Sequence, residues 1–448
     1  MGKLNKDNFR KTIYYFRKNG LKNTYYAIWE RLKKKETDSY TYIPPSPRIL
    51  QQQRQRSWEE KLCFSIIVPL YHTPENYLQE LIESVCAQTY PYWQLVLADA
   101  SRDDSLQGIV QEYEDSRICY RKLSDNQGIA ENTNAGLAYA EGDFIVLLDH
   151  DDLLTADALY EIAAALEEGR KNGTEFDMLY SDEDKCDGEG RYFYEPHYKQ
   201  DFNPDLLLTN NYICHLMAVR TEIFKELKLR GEYNGAQDFD FVLRVADRLY
   251  ETPEKIRHVP KILYHWRCHI GSTAANPASK SYAYEAGKRA VEAFLEKRGW
   301  PAEVTRLKHL GFYRVNYTED IFRIRPEVGA IGGRILDHGK IAGGMMDAEG
   351  NVAFKDLKDG FSGYMNRAVL VQQAEALDVR CLCLNPACYE LFEKTLGIPY
   401  ETLETGRKGQ LDWEKIPKEE QKECSLKLSL ALKEKGYRLI WDPEWVWR

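Results

Sequence analysis

The chain has 448 residues, room for roughly two or three domains, and a hydrophobic fraction of 43% that permits a sizeable core. Its net charge of −9 argues against bulk nucleic-acid binding, and no apolar run approaches the roughly 20 residues needed to span a bilayer. The first residues are basic without an apolar centre, so they do not read as a signal peptide. The ten cysteines are scattered and read as reduced thiols of a cytoplasmic protein.

Residues 1–35 carry eleven Lys/Arg against two acids, interleaved with Phe9, Tyr14, Tyr15, Phe16, Tyr25, Tyr26 and Trp29. This reads as a helical arm that either lies on an anionic membrane surface or packs on its own domain. The stretch Tyr42-Ile43-Pro44-Pro45-Ser46-Pro47 and the glutamines after it read as a linker, closing a first region at 1–61. From 62 the pattern changes. Phe64–Val68 is a short apolar run, expected of a strand buried on both faces. There follow a helix around 75–88, a strand at Gln94–Ala98, a helix near 104–114, a strand near 118–122, a helix from Asn126 to Ala140 and an apolar strand at Phe144–Leu148. Helices near 238–248 and 280–298 and a strand around 262–266 complete the region 62–316. The remainder, 317–448, is glycine-rich from Val328, and its clustered Cys381, Cys383 and Cys388 read as core packing. Alternating strands and helices imply an α/β fold with a mostly parallel sheet, whose ligands sit beyond the carboxyl ends of the strands.

That rule brings Pro69–Tyr71, Asp99–Asp103 and Asp149–Asp152 to one edge. Asp149, Asp151 and Asp152 follow a buried strand, where three carboxylates repel one another unless a cation joins them. Mg²⁺ or Mn²⁺ with a diphosphate satisfies them; a polar turn capping the next helix is the alternative. Asp99 could accept hydrogen bonds from a ribose or base, or from its own turn. Asp238 opens a helix as either a general base or an N-cap. The loop Trp266-Arg267-Cys268-His269-Ile270-Gly271-Ser272 places a cation, an imidazole and a hydroxyl together and could clamp a diphosphate. The first βα turn, Pro69-Leu70-Tyr71-His72-Thr73, has no glycine fingerprint, which disfavours dinucleotide and P-loop folds.

Taken in order, Ser65-Ile66-Ile67-Val68-Pro69, Glu83–Pro91, Asp99–Asp103, Asn126-Gln127-Gly128-Ile129, Leu148–Asp152, Tyr180–Lys185, Asn211–His215, Gln237-Asp238 and Arg267–Ser272 resemble family 2 glycosyltransferases of the GT-A fold, especially bacterial ones that build cell-surface polysaccharides. The resemblance implies inverting transfer from a UDP- or dTDP-sugar to a glycan or lipid-linked saccharide acceptor, with a Mn or Mg cofactor. It implies donor contacts from Pro69, Tyr71, Asp99, Asn126, Gly128, Asp149, Arg267 and Ser272. It implies Asp149, Asp151 and His269 on the metal, and Asp238 as the base. Val328–Leu336 and Lys435–Pro443 are similar to the later half of a second transferase domain. Cys424–Leu430 stands where its acidic motif would be, so this segment reads as a degenerate remnant without catalysis. Two rival readings are a non-catalytic glycan- or nucleotide-binding module and a sugar nucleotidyltransferase.

Overall fold

The computed structural model describes residues 16, 20–22, 24–30, 40–268, 281–403, 407 and 409–447. The chain divides into two compact units, one formed by Ser39–Phe202 and Asn211–Phe294, the other by Met1–Asp38, Asn203–Asn210 and Leu295–Arg448. The division falls inside the helix Ser281–Arg298, upstream of the boundary near 316 expected from the sequence.

The first unit is built on a nine-stranded sheet. Its strands are β1 (Phe64–Leu70), β2 (Trp93–Asp99), β3 (Ile118–Lys122), β4 (Phe144–Leu147), β5 (Leu153–Leu154), β6 (Met178–Cys186), β7 (Phe193–His197), β8 (Met217–Arg220) and β9 (Ile256–Arg267). The order is β3-β2-β1-β4-β8-β6-β9-β5, with β7 on β6. β3, β2, β1 and β4 run parallel, as the alternating pattern predicts, while β8 enters antiparallel between β4 and β6. Phe64, Ile66, Ile67 and Val68 are fully buried because helices cover both faces of the sheet. The helix Glu75–Cys86 turns Leu78, Leu81, Ile82 and Val85 inward, the three-to-four spacing of an amphipathic helix.

Two elements differ from expectation. The helix predicted over 126–140 is Ile129–Leu137, because Gly128 adopts φ +98 and holds Asn126 and Gln127 in a turn before it. β9 is more than twice the predicted length: its alternation of charged and apolar residues hides a strand that pairs with β6 from Ile256 to Arg267.

In the second unit, β10 (Ala302–Arg306) and β11 (Tyr313–Tyr317) form a hairpin. β12 (Val328–Asp337) is the centre of a separate sheet, paired parallel with the strand Arg438–Trp447 and antiparallel with Lys340–Gly343 and Leu382–Leu384. The glycines of β12 are explained by close approach: a Cβ on Gly333 would lie 2.1 Å from the Trp447 ring. Phe392, Leu428, Leu432 and Trp441 form the core, with Cys388 inside it; Cys381 and Cys383 are buried too and all ten cysteines are free. Buried Arg325 meets both oxygens of Asp205 (2.5 and 3.3 Å), tying residues 203–210 to this unit. Of the basic arm, Tyr26 packs edge-on against Phe361 and Glu30 accepts from the amides of Ser362 and Gly363. Leu21, Tyr25 and Trp29 remain exposed. Among the described residues no helix is long and apolar enough to cross a membrane.

Candidate active site

The carboxyl ends of β1, β2 and β4 meet as expected. Leu70 is in register with Asp99, and Ile67 with Leu147, so the turns after the three strands share one edge. Pro69 is the penultimate residue of β1 and Tyr71, 42% exposed, follows it. Asp99 is fully buried. It accepts from the Ser101 amide (2.8 Å), the Tyr120 hydroxyl (2.6 Å) and Lys122 (3.1 Å). Burial disfavours its charge, but these donors together hold its carboxyl below the usual range. Asn126 accepts from the Gly128 amide (3.0 Å) and Asn132 (2.8 Å), which fixes the turn that opens the next helix.

Beyond β4 the chain turns sharply, the Asp152 amide bonding the Asp149 carbonyl. The three acids then part company. Asp149 is about half exposed at its side chain. Asp152 is 1% exposed and accepts from the Tyr264 hydroxyl (2.5 Å) and the Arg267 amide (2.7 Å). Burial, and then the charges of Asp151 and Asp149, raise the Asp152 carboxyl well above its ordinary range. Asp149, Asp152 and His215 place ligand atoms within 4.8 Å of one another. Among the described residues the Asp151 side chain belongs to no such group. His269 and Ser272 lie outside the described residues.

In the sequence His215 closes the motif Asn211–His215 with no role assigned to it; the fold makes it the centre. Its ring stacks on Tyr264 and its Nε2 lies 3.9 Å from Asp149. On the other side Glu183 accepts from the His215 amide (3.1 Å) and faces its Nδ1 (3.2 Å). Lys199 donates to Glu183 and to the Ile213 carbonyl (2.5 Å), anchoring the segment that carries His215. Burial works against the imidazolium, yet neighbouring Cys214 and Glu183 raise its pKa well above the usual value. The only signal in the sequence was the clustering of Glu183 and His215 in two separate motifs, and neither spacing shows that β6 and the segment before β8 converge.

Asp238 lies in the first turn of the helix Gln237–Arg248, whose N-cap position is Ala236, so the capping alternative does not hold. Asn211 donates to its carboxylate at 2.8 Å. Burial is the main cause of its raised pKa; the Asp149 charge adds to it, while His215 opposes it. Two residues on, Asp240 is 1% exposed between Arg230 and Arg244 and is a structural ion pair.

Arg267 departs from its expected place. It is fully buried and its guanidinium donates to the Asp151 carbonyl (2.6 Å), the Gly188 carbonyl (2.9 Å) and Glu80 (2.5 Å), over the Tyr77 ring. With its amide on Asp152, it holds the acid turn from behind instead of presenting its donors to a ligand.

A mostly parallel α/β sheet with an acid cluster beyond the carboxyl end of β4 is an α/β domain with its candidate ligand site at that edge. Residues 65–228 match the family model described as Glycosyl transferase family 2. It is 35% identical over 257 residues to the O-antigen biosynthesis protein RfbC of Myxococcus xanthus, covering 56% of this chain and 19% of that protein. It is 41% identical over 98 residues to UDP-Glc:alpha-D-GlcNAc-diphosphoundecaprenol beta-1,3-glucosyltransferase WfgD of Escherichia coli, covering 21% of this chain and 37% of that one. Among solved structures, S. aureus TarS 1-349 in complex with UDP aligns at 23% identity with a TM-score of 0.39, over 52% of this chain and 65% of that one. The chain thus spans only about a fifth of RfbC and well under half of WfgD.

Proposed function

We propose that this chain transfers a sugar from a UDP- or dTDP-sugar to a glycan or lipid-linked acceptor in cell-surface polysaccharide synthesis, with inversion at the anomeric carbon and with a divalent cation. The observation that carries the reading is the gathering of Asp149, Asp152 and His215 ligand atoms within 4.8 Å of one another beyond β4, with Asp238, held by Asn211 at 2.8 Å, near enough to feel the charges of Asp149 and His215. Similarity to WfgD, a UDP-Glc-using glucosyltransferase, and to RfbC, an O-antigen biosynthesis protein, supports the donor class and the pathway class.

The acceptor hydroxyl gives its proton to Asp238 as its oxygen bonds to the anomeric carbon. The bond from that carbon to the diphosphate oxygen breaks on the opposite face, and its electron pair leaves with the nucleoside diphosphate. A carboxylate with a raised pKa takes a proton more readily than an ordinary one, provided it starts ionised. Asn211 holds it in one orientation. The donor set fits Mn²⁺ or Mg²⁺: Asp149 and Asp152 would supply oxygens, and His215 would add a nitrogen once it gives up its proton. Such an ion would supply positive charge against the diphosphate. Asp151 and Arg267 then keep the turn in shape through the Asp151 carbonyl. The arm, basic and with Leu21, Tyr25 and Trp29 exposed, supports reversible attachment to the inner face of an anionic membrane. The segment from 317 is read as a degenerate transferase remnant.

A thermal-shift series with UDP, dTDP, GDP and ADP, each with and without Mn²⁺, tests donor binding, since a ligand that prefers the folded state stabilises by mass action. Stabilisation by UDP or dTDP that needs Mn²⁺ is expected. No shift with any of them removes the proposal and leaves the non-catalytic module.

A further inference from the structure

The second unit contains an open cavity of about 290 Å³. One wall is apolar, with Ile331 and Ile440 backed by Ile321, Val371 and Trp445. The other is polar. There Arg314 forms a two-pronged pair with Asp442 (3.0 and 2.8 Å) and donates through Nε to Asn316 (3.1 Å). Arg407 lies 3.9 Å over the Trp445 ring, and Tyr317 contributes a second aromatic ring held at its hydroxyl by Arg325 (3.0 Å).

The lining is rich in charge but close to neutral. Arg314 is matched by Asp442, Asp205 by Arg325 and Glu319 by Arg323, and Arg407 faces the charges of Asp442 and Glu444. A site for a phosphate or a nucleotide would carry an uncompensated positive field. A site for a lipid tail would not set Arg, Asp and Asn side chains along one wall. A neutral sugar has the matching surface: hydroxyl edges that exchange hydrogen bonds with planar Arg, Asp and Asn groups, and C–H faces that cover aromatic and aliphatic walls. The volume is at the lower end of ligand pockets, roughly 300 Å³ upward, which favours one terminal sugar over a long chain.

We infer that this cavity is a saccharide-binding site for neutral sugars, separate from the transfer site. It gives the C-terminal unit a recognition role: engaging a sugar of the glycan on which the first unit acts. The inference goes beyond the proposed transfer reaction, and its test reads binding alone.

The test is saturation-transfer NMR of the full chain with a panel of neutral mono- and disaccharides made of hexoses, 6-deoxyhexoses and N-acetylhexosamines. At least one is expected to respond at millimolar concentration. Its affinity should fall by about 10-fold or more, ~1.4 kcal/mol, in Ile321→Trp, which fills the apolar wall, and in Arg407→Ala, which removes an exposed side chain without touching the core. UDP and dTDP titrations on the same preparations should match wild type, whether or not those nucleotides bind. Silence from the whole panel overturns the inference. So does a response that is equal in wild type and both variants, or one that excess nucleoside diphosphate displaces, since that response belongs to the transfer site.

Discussion

The phenol ring of Tyr264 lies flat on the imidazole of His215, their centroids 4.5 Å apart and their planes 10° from parallel. One residue of β9 thereby fixes the orientation of His215, while its hydroxyl donates to buried Asp152 at 2.5 Å. The two groups that face Asp149 are braced by a single side chain.

Tyr264→Phe keeps the stacking and removes the hydroxyl. Asp152 then keeps the Arg267 amide and loses its other donor inside the fold. The expected cost is about 1–3 kcal/mol, the usual penalty for a buried polar group left short of a partner. Urea unfolding measures it. Calorimetry should also show weaker Mn²⁺-dependent UDP or dTDP binding, because the acid turn loses a brace. Unchanged stability would mean that the hydroxyl carries no weight here.

Arg267→Lys separates a clamp on the donor from a prop behind the turn. A diphosphate clamp keeps much of its attraction with a lysine, and the fold should hold. A buried guanidinium that serves three acceptors cannot be replaced by an ammonium of different shape. The structure therefore predicts a loss on the order of 3–5 kcal/mol, as for other broken buried charge networks, with donor affinity falling alongside it. A normal melting temperature with selectively lost donor binding would return Arg267 to the role expected from the sequence.

The pH dependence of folding follows from Asp99. Its folded-state pKa lies below its unfolded value of about 3.9. Its contribution is therefore fully present above that unfolded value and is lost as pH falls through the folded one. Asp99→Asn should be less stable than wild type at neutral pH, with the gap narrowing in acid. Melting curves from neutral to strongly acid pH check this; a gap that widens in acid contradicts the assignment.

The parallel half of the sheet was readable because each strand is a continuous apolar run closed by a turn. So was the acid cluster, because Asp149–Asp152 follow such a run directly. The antiparallel entry of β8 was not, since a four-residue strand leaves too short a pattern. Nor was the burial of Arg267, because its partners Glu80 and Gly188 are 187 and 79 residues away along the chain. His215 illustrates the same limit: its neighbours Glu183, Tyr264 and Asp149 come from three distant segments, and only the folded sheet brings them together. That Asn203–Asn210 joins the second unit through Arg325–Asp205 has no local signature in the sequence.

The most direct test of the account is Asp238→Asn, with folding and transfer measured on one preparation. Asparagine is nearly isosteric, and Ala236 occupies the cap position, so melting temperature and donor binding should stay near wild type. Turnover should fall by roughly 10²–10⁴-fold, the usual contribution of a positioned general base. Asp240→Asn is not a neutral comparator, because it uncouples the buried pairs to Arg230 and Arg244 and should cost several kcal/mol, about 3–5, of stability. Collapse of transfer in a well-folded Asp238→Asn protein is the predicted result. Full turnover in that variant, with an acceptor the wild type uses, contradicts the assignment of the base and with it the proposed mechanism.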